Sequence, residues 1–262
     1  MPAGTDIPAS RFLRGAGQHA SIEADAFTEG SFVLSIGGAE QSHVNLARPE
    51  EIFYEYLRRI GHLVDLAAPA GAPLRALHLG AGALTLARYI QATRPGSEQY
   101  AVELERELLD FVLRYLPLPD GTELHAVTGD ARAELAGLDP ELRFDVVILD
   151  IFSGPEAPAH LACADFYREV RARLNAAGIL VVNVGDEPGL TLVRSQVAAM
   201  RQAMADVAAV AEAGMFEGRY PGNIILAGTQ TAWPAEWSVQ LAARGPHPAR
   251  VLTGPDLDPL GG

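Results

Sequence analysis

ALHLGAGALTLARYIQATRPGSEQYAVELE, residues 76–105, holds two short apolar runs, ALHL (76–79) and EQYAVEL (98–104), joined by a helical pattern. Strand, crossover helix and second strand in this order predict parallel pairing. Gly80 and Gly82 bracket the turn from first strand to helix, where a missing side chain lets a nucleoside approach the backbone. The third position of the full dinucleotide fingerprint is Thr85, so tight packing of the turn is an equal reading of the two glycines. Glu103 ends the second run, about twenty residues past the turn, where a carboxylate accepts the hydroxyl protons of a ribose. Glu105 and Glu107 instead suit the positive end of the following helix.

Outward from this unit the alternation continues through TELHAV (122–127), FDVVILD (144–150) and GILVVNV (178–184), with helical patterns between. Such a chain predicts an α/β, Rossmann-like domain whose ligands sit at the carboxyl ends of the strands. VAAVAEA (207–213) and GNIILAG (222–228) are too close for a crossover helix and are expected to pair antiparallel, giving a seven-stranded sheet. The third strand end, TGDARAEL, offers Asp130 and the Ala131 backbone to an adenine edge, with helix capping by Asp130 as the structural alternative. Asp150 follows the wholly apolar VVIL, and a charge there is cheaper facing a cleft than buried.

Before this domain, SFVLSIGGAEQSHVNL (31–46) places two β-prone runs around Gly37-Gly38, a hairpin signal. PEEIFYEYLRRIGHLVDLA (49–67) has helical spacing, and APAGAP (68–73) breaks it. The expected organisation is a flexible arm over 1–28, a hairpin-plus-helix region over 29–70, a nucleoside-binding catalytic domain over 71–243 and a flexible Pro- and Gly-rich tail over 244–262.

The 262 residues are 48% hydrophobic, enough for a real core. With 33 acidic against 20 basic residues, the formal charge of −13 repels nucleic acid and anionic lipid, so neither is an expected partner. No apolar run has the length of a membrane span and no secretion signal is evident, which makes the cytoplasm the expected location. A single cysteine, Cys163, excludes an internal disulfide, and histidines without ligand spacing give no metal site. His160, beside the expected cleft, is the one histidine placed to carry a proton.

From Ser35 to about Thr229 the chain resembles the spermidine synthases. SIGGAEQSHV with FYEY is similar to their hairpin and adjoining helix, GAGALT to their cofactor loop, VELE to their ribose acid and GDAR to their adenine contact. The longest likeness is FDVVILDIFSGPEAPAHLACADFYREVRARLNAAGILVVNV. The resemblance implies aminopropyl transfer from decarboxylated S-adenosylmethionine to a small amine, by a homodimer needing no metal. It further implies Asp150 as base or amine anchor, Gln41 at the donor and Tyr54 and Ser153 at the acceptor, although Gln41 also reads as an ordinary hairpin polar residue and Tyr54 as a core aromatic. Two acids of the family pattern are replaced, by Ala83 in the glycine loop and by Ser153 three residues past Asp150. Glu156, Asp186 and Glu187 are the nearby acids that would compensate, with capping of the following helix an equal reading of Asp186 and Glu187. An AdoMet-dependent methyltransferase or other sulfonium alkyl transferase, and a non-catalytic nucleoside-binding protein, are the competing readings.

Overall fold

The computed structural model describes residues 7–151 and 158–261. Strands β1 (Ala9–Leu13), β2 (Gln18–Ala24), β3 (Ser31–Ile36) and β4 (Ala39–Asn45) form an antiparallel meander. Helix α1 (Glu55–Ala67) follows, then β5 (Arg75–Leu79), α2 (Thr85–Thr93), β6 (Glu98–Glu103), α3 (Arg106–Tyr115), β7 (Glu123–Thr128), α4 (Ala131–Gly137) and β8 (Phe144–Leu149). The chain closes with α5 (Ala164–Arg171), β9 (Leu174–Asp186), α6 (Thr191–Arg201), β10 (Asp206–Glu212), α7 (Ala213–Phe216), β11 (Gly222–Thr229), α8 (Ala235–Arg244), β12 (Ala249–Thr253) and α9 (Asp258–Gly261).

The main sheet has eight strands in the order β12-β10-β11-β9-β8-β5-β6-β7. β5 through β9 run parallel, while β10 pairs antiparallel with both β11 and β12. The expectation of seven strands is therefore corrected to eight. The extra strand comes from the stretch read as a flexible tail, where ARVLT covers the edge that β10 would otherwise expose. Leu252, Leu257 and Leu260 are buried there, so apolar burial holds the segment in place despite its prolines and glycines. The other extension lies in 9–24, expected as a flexible arm. Leu13, Ala20 and Ile22 are fully buried, and the alternation in QHASIEA makes β2 a half-buried strand.

Strand alternation separates two cores. Leu77, Leu79, Val147, Leu149, Leu180 and Val182 pack with α5 and α6 on one face, and Ala76, Val146, Ile148, Ile179 and Val181 pack with α1 on the other. A third cluster, with Leu34, Val44, Ala83, Leu84, Ala87, Ala101 and Phe111, fastens the N-terminal meander to α2 and α3. Arg94, buried at the end of α2, donates to the carbonyls of Val64, Asp65, Ala68, Pro69 and Ala72. It thereby closes the C-terminus of α1 and the 68–73 break with donors that the helix end lacks. Among the described residues no helix is long and apolar enough to cross a membrane.

Candidate active site

Four adjacent parallel strands deliver the predicted residues to one rim. Asp150 follows β8, Gly80 follows β5, Glu103 ends β6 and Asp130 follows β7. Because β6 and β7 lie on one side of β5 and β8 and β9 on the other, the chain reverses direction at β5/β8, where a crevice opens in this class of sheet.

The glycine turn is built by close approach. Gly80 adopts φ +91, and a β-carbon there would lie 2.2 Å from the Asp150 carbonyl oxygen. Gly82 adopts φ +50 and faces Ser42 Oγ, where a β-carbon would sit at 2.8 Å. Ser42 Oγ also accepts the Ala83 amide at 3.1 Å, and Thr85 Oγ1 donates to the His43 carbonyl at 3.3 Å, so the meander clamps the loop. From below, the buried Arg88 guanidinium donates to the carbonyls of Ala83, Leu116 and Pro117, and burial lowers its pKa to about 10. A loop fixed on both sides presents its backbone to a ligand without reorganisation.

Glu103 is half-buried. Its Oε2 accepts the Ala81 amide and its Oε1 the Glu105 amide, both at 3.1 Å, which orients the carboxylate beside the glycine turn. Its own carbonyl accepts from Gly129 at 3.0 Å, tying the second strand end to the third. Asp130 plays the structural part that the sequence left open. Its Oδ1 accepts the amides of Arg132 and Ala133 and caps α4, while Oδ2 meets His160 Nε2 at 2.7 Å. Burial raises the Asp130 pKa, but the His160 contact and the two amides outweigh it and leave the carboxyl below its ordinary value. His160 is thus committed to Asp130. The Ala131 side chain is buried in the core, leaving its backbone as the group offered at the rim.

Asp150 keeps a little solvent contact but is closed in on most sides. Burial pushes its pKa up, and the amide of Asn183, donating from Nδ2 to Oδ1 at 2.8 Å, pulls it back. Asn223 Nδ2 holds Asn183 Oδ1 at 3.0 Å. The Tyr56 phenol is pushed to high pKa by burial and by the Asp150 charge. The Tyr54 and Tyr56 rings stack with centroids 6.2 Å apart, and Tyr54 Oη donates to Glu40 Oε2 at 2.9 Å. Gln41 is exposed on β4. Ser153 and Glu156 lie outside the described residues.

Asp186, a candidate to replace the missing acids, is spent on the chain itself, accepting the amides of Glu187 and Val193 at 2.8 Å each. The residues that sequence reasoning missed are Asn183, Asn223, Tyr56, Ser42 and Glu40. Asn183 had a signal, a lone amide within the apolar run GILVVNV, and Asn223 a similar one in GNIILAG, whereas Ser42 and Glu40 become visible only once the meander folds, and Tyr56 only once α1 packs. Among the described residues, Glu98, Glu123 and His125 bring ligand atoms within 4.8 Å of one another. Glu98 already meets Arg75 and the Tyr100 hydroxyl, which makes this a surface polar network.

No family model matches the chain. Over 121 residues it is 32% identical to a probable polyamine aminopropyl transferase of Bifidobacterium longum, covering 45% of this chain and 26% of that one. Over 113 residues it is 30% identical to a polyamine aminopropyltransferase of Vibrio vulnificus, covering 42% and 38%. The matched stretch thus spans less than two fifths of either relative's length. In structure the chain is similar to a probable spermidine synthase from Corynebacterium glutamicum, with a TM-score of 0.85 and 28% identity over 98% of this chain and 95% of that one. A spermidine synthase in complex with the transition-state analogue AdoDATO shares the fold at a TM-score of 0.60 and 14% identity, over 87% and 74% of the two chains.

Proposed function

Kinship in sequence and fold supports the spermidine synthase family, and from that premise we infer that this chain transfers an aminopropyl group from decarboxylated S-adenosylmethionine to a small amine. The observation that carries the reading is the single rim formed by Gly80, Glu103, Asp130 and Asp150 on adjacent strand ends. The fixed glycine turn suits the adenosyl group. The Glu103 carboxylate beside it suits a ribose. The Asp130 side chain is largely occupied, so the Ala131 amide is the better candidate for an adenine edge.

Asp150 sits one strand over from the glycine turn. The neutral amine attacks the aminopropyl carbon bonded to the sulfonium; the C–N bond forms as the C–S bond breaks, and that electron pair stays on sulfur, giving the neutral thioether methylthioadenosine. The proton released by the amine passes to the Asp150 carboxylate. A raised Asp150 pKa suits that role, because a half-buried carboxylate accepts a proton more readily than an exposed one. Holding donor and acceptor in line supplies the rest of the acceleration.

Ala83 and Ser153 remove two charges that would pair with ammonium groups. Glu40, held by Tyr54 on the meander side, returns one carboxylate, which points to an acceptor with its distal ammonium at Glu40. Association as a homodimer belongs to the same reading. Incubation with decarboxylated S-adenosylmethionine and a series of diamines tests it, with release of methylthioadenosine and an amine lengthened by one aminopropyl unit as the expected products. Donor binding without product from any amine would favour a non-catalytic nucleoside-binding protein, and methyl transfer from intact S-adenosylmethionine would favour a methyltransferase.

A further inference from the structure

A cavity of about 430 Å³ opens between β3–β4 and the start of α1. The register pairs Ser31 with Asn45 and Val33 with His43, so Ser31, His43 and Asn45 share one sheet face. Ser42 and Val44 point the other way, toward the glycine loop, and none of Gly80, Glu103, Asp130 or Asp150 lines this cavity.

Three of its lining side chains hold a buried polar atom without a partner among the described residues: Ser31 Oγ, His43 Nδ1 and Asn45 Nδ2. The residues are only 1%, 4% and 3% exposed, so bulk water does not satisfy those atoms, and such orphans are costly and rare. What each atom offers is fixed by its other bonds. Asn45 Oδ1 accepts the amides of Ala47 and Arg48 at 3.0 and 2.9 Å, which turns Nδ2 inward as a donor. His43 Nε2 lies 2.9 Å from Asp25 Oδ2, so in the neutral ring Nε2 donates and Nδ1 presents a lone pair. Ser31 can both donate and accept. Phe53 stacks on the His43 ring with centroids 4.4 Å apart and keeps 54% of its own surface open.

We propose that this cavity binds a flat, uncharged nitrogen heterocycle that presents an N–H donor beside a ring acceptor, as the edge of adenine does. Asn45 Nδ2 and His43 Nδ1 together supply the donor and acceptor that one free amide side chain would offer to such an edge. Glu50, Glu51 and Arg58 also line the cavity but are solvent-exposed, and the Asp25 carboxylate is already spent on His43 Nε2, so the three orphan atoms offer a ligand neutral donors and acceptors, which favours a neutral ring. The volume is many times the roughly 30 Å³ of one water, and the open Phe53 ring adds a stacking wall. The cavity adjoins the expected acceptor side, since the His43 ring meets Tyr54 edge-on at 6.3 Å, but it shares none of the four strand-end residues and does not depend on the aminopropyl-transfer reading.

The test is calorimetric titration with adenine of protein already saturated with methylthioadenosine, so that the strand-end crevice is filled. Saturable adenine binding is expected to persist, and to persist in Glu103→Ala. Asn45→Asp keeps the two loop-capping bonds while replacing the donor, and should weaken adenine about tenfold or more. Ser31→Ala should weaken it in the same direction, and carries the test if Asn45→Asp fails to fold. Absence of adenine binding, its loss on filling the crevice or in Glu103→Ala, or affinity unmoved by both Asn45→Asp and Ser31→Ala would each overturn the proposal. If methylthioadenosine gives no heat, the transferase reading fails while the adenine titration still reports on this cavity.

Discussion

Asn183 Nδ2 donates to Asp150 Oδ1 at 2.8 Å, and this bond is the force that opposes the rise of the Asp150 pKa on burial. A group whose ionised form does the work gives activity that climbs as pH passes its pKa. Asn183→Ala removes the opposing bond, so the acid limb of the kcat/KM profile should move to higher pH. An unmoved limb would mean that another group sets it. Asp150→Asn should cut turnover by about 10²–10⁴-fold while methylthioadenosine affinity stays within a few fold.

Gly80→Ala places a β-carbon 2.2 Å from the Asp150 carbonyl at a φ of +91, and backbone cannot swing aside. It should cost on the order of 1–3 kcal/mol of stability and abolish nucleoside binding. Gly82→Ala meets only the Ser42 hydroxyl, so it should be the milder change. Denaturant unfolding together with nucleoside titration of both variants checks the ranking.

At the strand ends, Gly80 and Asp150 were legible because a buried parallel strand writes itself as a near-continuous apolar run, ALHL and VVIL, whereas EQYAVEL and TELHAV, ahead of Glu103 and Asp130, carry polar residues and were read from their alternation with helical patterns. What side chains do at those ends was less legible. Asp130 and Asp186 carry the same carboxylate as Asp150, and only the positions of the Arg132, Ala133 and Val193 amides show that they cap helices. β1 and β12 escaped because their runs, SRFL and RVLT, are short and sit among glycines and prolines; pairing with β2 and β10 fixes them, and such long-range contact leaves little local trace.

His78 lies buried against Gln99, 3.0 Å away, and burial lowers its pKa to about 4. The unfolded chain therefore takes up this proton before the folded protein does. Stability should be full above about pH 6.5 and fall as pH drops toward 4, by on the order of 3 kcal/mol from this group. His78→Gln should flatten the pH dependence of the unfolding midpoint across that window; an unchanged slope would show that His78 does not carry it.

Glu40→Gln should raise the KM for a diamine roughly tenfold and leave kcat within a few fold, since Glu40 is expected to bind the distal ammonium without touching the reacting nitrogen. An equal effect on a monoamine lacking that ammonium would contradict the assignment.

The most direct test of the proposed adenosyl site is calorimetric titration of the protein with decarboxylated S-adenosylmethionine, intact S-adenosylmethionine and methylthioadenosine. Saturable heat is expected with the decarboxylated donor and with methylthioadenosine, weakened at least tenfold in Glu103→Ala by loss of the ribose contacts. No heat from any of the three, or affinities indifferent to Glu103, would contradict it.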